Sequence, residues 1–145
     1  MSSPHQNNMK RVTGIGGVFL RCKDPEAMKA WYKKHLGIDA GPYGAAFRWR
    51  DGETDDQSGH TAWTVYPAGN TYFGSGPQGC MINYRVHDLE ALLAVLKEEG
   101  VPLDGDMETY DYGKFGWVID PEGNRVELWQ PDDTVYATMT DAEKP

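Results

Sequence analysis

The sequence predicts an α+β domain made of two tandem βαβββ modules, and three observations predict it. The chain matches itself at an offset of 64 residues. In each copy a run with strand periodicity leads directly into a capped amphipathic helix. After each helix come further short runs of strand type, the last two joined by a turn-forming pentapeptide.

The match overlays residues 17–34 on residues 81–98. Identities fall at Arg21/Arg85, Asp24/Asp88, Glu26/Glu90, Ala27/Ala91, Ala30/Ala94 and Lys33/Lys97. Each copy opens with a strand: Val18, Leu20 and Cys22 alternate with Gly17, Phe19 and Arg21, as Ile82, Tyr84 and Val86 do with Met81, Asn83 and Arg85. That period of two gives a strand with two different faces. Asp24 and Asp88 then stand where a side-chain oxygen can cap a helix. Pro25 suits the first helical position, and Glu26 and Glu90 put negative charge in the first turn, where the helix dipole favours it. Apolar residues follow at helical spacing: Ala27, Met28, Trp31, Tyr32 and Leu36, then Leu89, Leu92, Leu93 and Leu96. Both stripes are expected to face the core. Gly37 and Gly100 are expected to end the helices, because glycine accepts the left-handed conformation of that position.

Three more strands are predicted in each module, at residues 38–40, 45–50 and 61–66, and at residues 101–103, 115–119 and 125–129. The last two flank Asp120-Pro-Glu-Gly-Asn124, whose residues favour a turn. If the hairpin is symmetric about that turn, Trp117 lies opposite Glu127 and Phe115 opposite Trp129. Residues 51–59 read as a charged loop. The modules are placed at 12–67 and 79–131, joined by a Gly-, Pro- and Asn-rich linker at 68–78 within one domain of residues 12–131. Residues 1–11 read as a flexible N-terminal arm, and residues 132–145 as a tail, loosely docked or disordered.

At 145 residues, with 39% apolar and 12% aromatic content, the chain fits one globular domain. Its apolar runs are all far shorter than the roughly 20 residues of a membrane span, and the polar N-terminus does not read as a secretory signal. The net charge of −8 and pI near 4.9 argue against nucleic acid and against an anionic membrane surface as partners. Two cysteines, Cys22 and Cys80, do not make a disulfide framework; a reducing cytoplasm and two buried thiols are expected.

The segment KDPEAMKAWYKKHLGI (residues 23–38), the segment DPEGNRVELWQP (residues 120–131) and the 64-residue repeat together resemble the vicinal oxygen chelate superfamily, the group of glyoxalase I, bleomycin-resistance proteins and extradiol dioxygenases. The resemblance covers about residues 12–131. It implies curled mixed sheets forming a partly closed cup, helices outside, a small-molecule ligand in the hollow and a homodimer. It also implies four metal ligands in the members that use a metal. Carried over by position these fall on Gly17, Trp63, Met81 and Glu127. Glycine offers no side chain, tryptophan only an N–H donor, and methionine a soft thioether ill suited to Mg, Mn, Fe(II) or Zn. Glu127 alone keeps a carboxylate. No metal or other cofactor is therefore expected, with a divalent metal as the alternative. His35, His60, His87 and Cys80 do not space like a replacement site, and the histidines are expected on the surface or at caps.

Positions in phase with these four are Phe19, Val65, Asn83, Arg85 and Trp129, with Phe115 and Trp117 added by the hairpin. The expected ligand-binding set is thus Phe19, Trp63, Met81, Asn83, Arg85, Phe115, Trp117 and Trp129, with Tyr110 and Tyr112 on a loop leading in. Glu127 is the catalytic candidate. Among aromatic rings its pKa should rise through desolvation unless Arg85, Arg125 or a tyrosine answers it. It is a general base, an anchor for a cation, or a relic bonded to the Trp63 N–H. The leading functional expectation is metal-independent binding of an aromatic or cationic small molecule, similar to the bleomycin-resistance branch. The alternatives are a lyase or dioxygenase with an atypical metal site or with Glu127 as base, and a partner domain whose cup is closed by its own side chains. No Ser-His-Asp set, Walker loop or dinucleotide fingerprint is present, and residues 14–17 are too short a glycine run for a phosphate loop.

Overall fold

The computed structural model describes residues 11–50, 58–74 and 76–143. Most of the expected N-terminal arm and of the charged loop lies outside these. The elements are β1 (Val12–Cys22), α1 (Pro25–Leu36), β2 (Ala45–Arg50), β3 (Ser58–Pro67), a 3-10 turn (Thr71–Phe73), β4 (Cys80–Val86), α2 (Leu89–Glu98), β5 (Glu108–Tyr110), β6 (Gly113–Ile119), β7 (Arg125–Pro131) and α3 (Asp133–Glu143). The strands form one curled, unclosed mixed sheet in the order β2-β3-β1-β4-β7-β6-β5.

The repeat is visible in the register. β1 and β4 pair antiparallel at the centre of the sheet, and Val18 lies directly opposite its own repeat mate, Ile82. Each of these strands then pairs parallel with the last strand of its own module: Phe19 with Thr64, and Asn83 with Glu127. The caps repeat as well. Asp24 accepts from the Ala27 N–H at 3.1 Å and Asp88 from the Ala91 N–H at 3.2 Å. Gly37 closes α1 at φ 73° and Gly100 follows α2 at φ 84°, both in the left-handed region that glycine enters without strain.

Two apolar cores hold the halves. Under α2, Leu89 and Leu92 pack with Val86, Val118 and Leu128. At the base of the cup, Phe19, Phe73, Met81 and Trp117 pack together. α1 packs less deeply. Its Tyr32 ring meets Trp63 at 4.8 Å, but no α1 residue is fully buried, and Trp31 and Leu36 are exposed. The expectation of a core stripe on α1 is corrected to a half-buried one.

Other local expectations are also corrected. Residues 38–40 and 101–103 form no strands; only the isolated bridges Gly41↔Gly44 and Leu103↔Val118 occur nearby. β3 begins at Ser58, inside the expected loop, and β5 occupies part of the stretch read as a loop containing Tyr110. Cys22 is half-buried and Cys80 exposed, not two buried thiols. The expected loose tail contains the helix α3. Asp132 starts it by accepting from the Val135 N–H at 3.1 Å, and Tyr136 packs against Trp129 and His60.

Candidate functional site

The curled sheet encloses a cavity of about 900 Å³. β1 contributes Gly16 and Phe19, β3 contributes His60, Ala62, Thr64 and Tyr66, and β4 contributes Asn83. Phe115 of β6, Glu127 and Trp129 of β7, Tyr72 and Tyr112 add to the wall, as do Tyr136 and Met139 of α3 and, on the β2 side, residues 37–39, 41 and 43–48, Arg48 among them. The hairpin register is as expected, with Phe115 opposite Trp129 and Trp117 opposite Glu127.

Of the expected ligand-binding residues, Phe19, Asn83, Phe115 and Trp129 line the cavity, as does the catalytic candidate Glu127. Met81 and Trp117 lie in the core at its base. Arg85 is drawn aside: its guanidinium donates to Asp133 at 2.5 Å and sits over the rings of Trp49 and Trp129 at 5.0 and 5.6 Å.

Trp63 is a correction. It lies on the outer face of β3 beneath Tyr32, and Val65 shares that parity. The cause is a one-residue difference between the modules. The first strands repeat at 64 residues, yet Thr64, not Trp63, holds the place in β3 that Glu127 holds in β7. A shift of one residue moves a side chain to the opposite face. His60 is a second correction: it is buried at the cavity wall rather than on the surface, with burial lowering its pKa.

Glu127 is 1% exposed. Tyr72, from the expected linker, donates its hydroxyl to both carboxyl oxygens at 3.0 Å. Asn83 beside it and the charge of Arg125 also favour the ionised form. Trp117 also lies close enough to lower the pKa, although its indole N–H has no well-formed acceptor. Desolvation outweighs all of these and pushes Glu127 up to about 7. Burial first, and then the charge of Glu127, push Tyr66 up to about 12 and Tyr72 further up. The Trp63 N–H takes no part, so that relic reading is replaced by the Tyr72 contact. Sequence reasoning missed Tyr72, Tyr66, Thr64 and Gly16. Tyr66 and Thr64 were hidden by the parity error alone; Tyr72 carried no periodic signal.

The donor set does not fit a divalent ion. Such an ion takes about three protein ligands, and Gly17, Met81 and Thr64 add no carboxylate, imidazole or thiolate to Glu127. Among the described residues no three His, Cys, Asp or Glu side chains cluster.

The fold, the cup and the hairpin define a class. The chain belongs to the Glyoxalase/Bleomycin resistance protein/Dioxygenase superfamily, whose profile matches residues 14–128. Among solved structures it is similar to the methylmalonyl-CoA epimerase from Mycobacterium tuberculosis, with 18% identity, TM-score 0.57, and 94% of this chain and 97% of that one covered. It is similar also to a single-substitution variant of the Streptomyces coelicolor methylmalonyl-CoA epimerase in complex with 2-nitronate-propionyl-CoA, with 16% identity, TM-score 0.61, and coverage of 83% and 99%. A third is the NAD-dependent benzaldehyde dehydrogenase from Legionella pneumophila, with 15% identity, TM-score 0.53, and coverage of 80% and 98%. At these identities the likeness is one of fold. No curated protein matches the chain. Among the described residues no helix is long and apolar enough to cross a membrane.

Proposed function

We propose that this chain is a small-molecule binding protein that takes a flat aromatic or cationic ligand into its cup without a metal. One observation carries the reading: among the described residues the buried carboxyl of Glu127 faces a ligand-sized cavity lined in part by the rings of Phe19, Tyr66, Tyr72, Phe115 and Trp129. Pockets for small molecules run to a few hundred to about a thousand Å³, with few polar groups among apolar ones. Phe115 and Trp129 stack with planes 7° apart, and Tyr66 and Tyr72 with planes 27° apart. Such ring faces attract cations. Ionised Glu127 would then anchor the charge, so cation binding should tighten as pH rises through about 7. Titration with aromatic cations at pH 6 and 8, followed by tryptophan fluorescence, tests this. Quenching that strengthens at pH 8 supports it; no binding by any cation of the panel overturns it. Stoichiometric metal in protein purified without chelators would overturn the metal-free part.

A second reading is favoured by the same pKa. A carboxyl near 7 suits general acid–base work at neutral pH. If Glu127 is a base in a metal-free reaction, Glu127→Gln abolishes turnover and leaves binding of a neutral substrate in place. A homodimer in a reducing cytoplasm completes the proposal. The two free thiols support the compartment, the superfamily supports the pairing, and sedimentation velocity tests the latter.

A further inference from the structure

The cup's floor holds an acceptor that nothing among the described residues satisfies. Asn83 is 1% exposed, and its Oδ1 is buried with no hydrogen-bond partner among them. Glu127 lies directly across the β4–β7 ladder from it, and Asn83 is among the groups that hold the Glu127 pKa down. Asn83 and Glu127, neighbours on adjacent strands, both line the cavity. A buried acceptor left unpaired loses its hydration without compensation, so a ligand that supplies the missing hydrogen recovers more than its own bond. Gly16 keeps the arrangement in place: a Cβ there would lie 2.1 Å from Asn83 Oδ1 and 3.0 Å from Trp129. Glycine at this position lets β1 pass the amide without displacing it.

We infer that the ligand presents a planar N–H donor group of the amidine or guanidine class to the paired acceptors Asn83 Oδ1 and Glu127, with its apolar part between the aromatic walls. This rests on the binding reading above and narrows it. A planar cation of this class carries N–H groups in a fixed fork, which suits two neighbouring acceptors, and a hydrogen bond to a charged group is stronger than a neutral one. A cation without N–H gains the ring contacts and the charge attraction but leaves Asn83 Oδ1 unpaired. Sites built around such groups reject analogues that lack the hydrogen.

Calorimetric titration at pH 8 with benzamidine, phenyltrimethylammonium and anisole tests the inference on the unaltered protein. Benzamidine is expected to bind roughly tenfold or more tightly than phenyltrimethylammonium, with anisole weakest. Asn83→Leu should erase that preference. Equal binding of the two cations overturns the N–H inference and leaves the aromatic-cation reading standing. No binding of any of the three overturns both. The ligand comparison decides the question even if Asn83→Leu fails to fold.

Discussion

Tyr72 and Glu127 lie 55 residues apart in the chain, and the tyrosine hydroxyl reaches both carboxyl oxygens at 3.0 Å. This contact ties the segment between the modules to the last strand of the second. It also sets the chemistry of the cup, because a hydroxyl donating to a carboxylate favours the ionised form. Tyr72→Phe should raise the Glu127 midpoint by about one unit above its value near 7. Carbon-13 NMR titration of labelled glutamate reads this directly, and an unchanged midpoint would count against the contact.

Glu127 also makes stability depend on pH, and the sign is fixed by the direction of its shift. The folded-state pKa is raised above the ordinary carboxyl value of 4.5 to about 7. The protonated form is thus the one the fold favours. Its contribution is complete below pH 4.5 and is lost as pH rises through 7, a loss of up to about 3 kcal/mol. Glu127→Gln should remove this component, so the variant's stability relative to wild type should rise between about pH 5 and about pH 9. Urea unfolding at the two pH values measures it; parallel curves would contradict a buried, desolvated acid.

Gly16→Ala should destabilise the protein by about 1–3 kcal/mol, because the new Cβ meets Asn83 Oδ1 at 2.1 Å. Thermal unfolding measures the loss. Gly37 offers a control within the same chain. A Cβ there meets nothing within 4 Å, so the cost at that site comes from its positive φ alone.

Asp133 holds α3 to the sheet through Arg85 at 2.5 Å, and the Arg85 side chain is 8% exposed. Asp133→Ala leaves that guanidinium with its contacts to Trp49 and Trp129 and with a long bond to the His60 carbonyl at 3.4 Å. The expected cost is about 2 kcal/mol. Amide exchange in residues 134–139 should accelerate more than exchange in α2, since the lost contact is local to α3.

The two faces of β3 make a paired prediction. Trp63→Phe, on the outer face under Tyr32, should lower stability and leave ligand affinity near its original value. Thr64→Phe, on the cavity wall, should weaken benzamidine binding about tenfold or more by occupying the space. Stability and affinity measured on both variants separate the faces.

Much of the fold is legible in the residues. The repeat at Arg21/Arg85 and Asp24/Asp88, with the aspartate caps and glycine stops, locates both helices and the strand β4 within a residue or two, and the second half of β1, which starts earlier, at Val12. The β6–β7 register is legible because Asp120 accepts from the backbone N–H groups of both Glu122 and Asn124 and fixes a short turn. Glu127, Trp129, Phe115 and Asn83 followed from it. Trp63 did not, because parity along β3 was inferred by carrying the 64-residue offset across a segment that is one residue out of step. Tyr72 could not be read at all. It stands on a 3-10 turn capped by Asn70, and its place over Glu127 is set by tertiary packing. α3 was missed because its helical pattern is weak; its position depends on Arg85, His60 and Trp129, all distant in sequence.

The central place of β1 has a practical consequence. This strand is paired along both edges, to β3 on one side and β4 on the other. Shortening the chain beyond Val12 would begin to unzip the join between the two halves. A separately expressed second half would carry an open β4 edge, an inviting template for stray strands. The two modules are thus repeats in sequence and a single piece by mechanics.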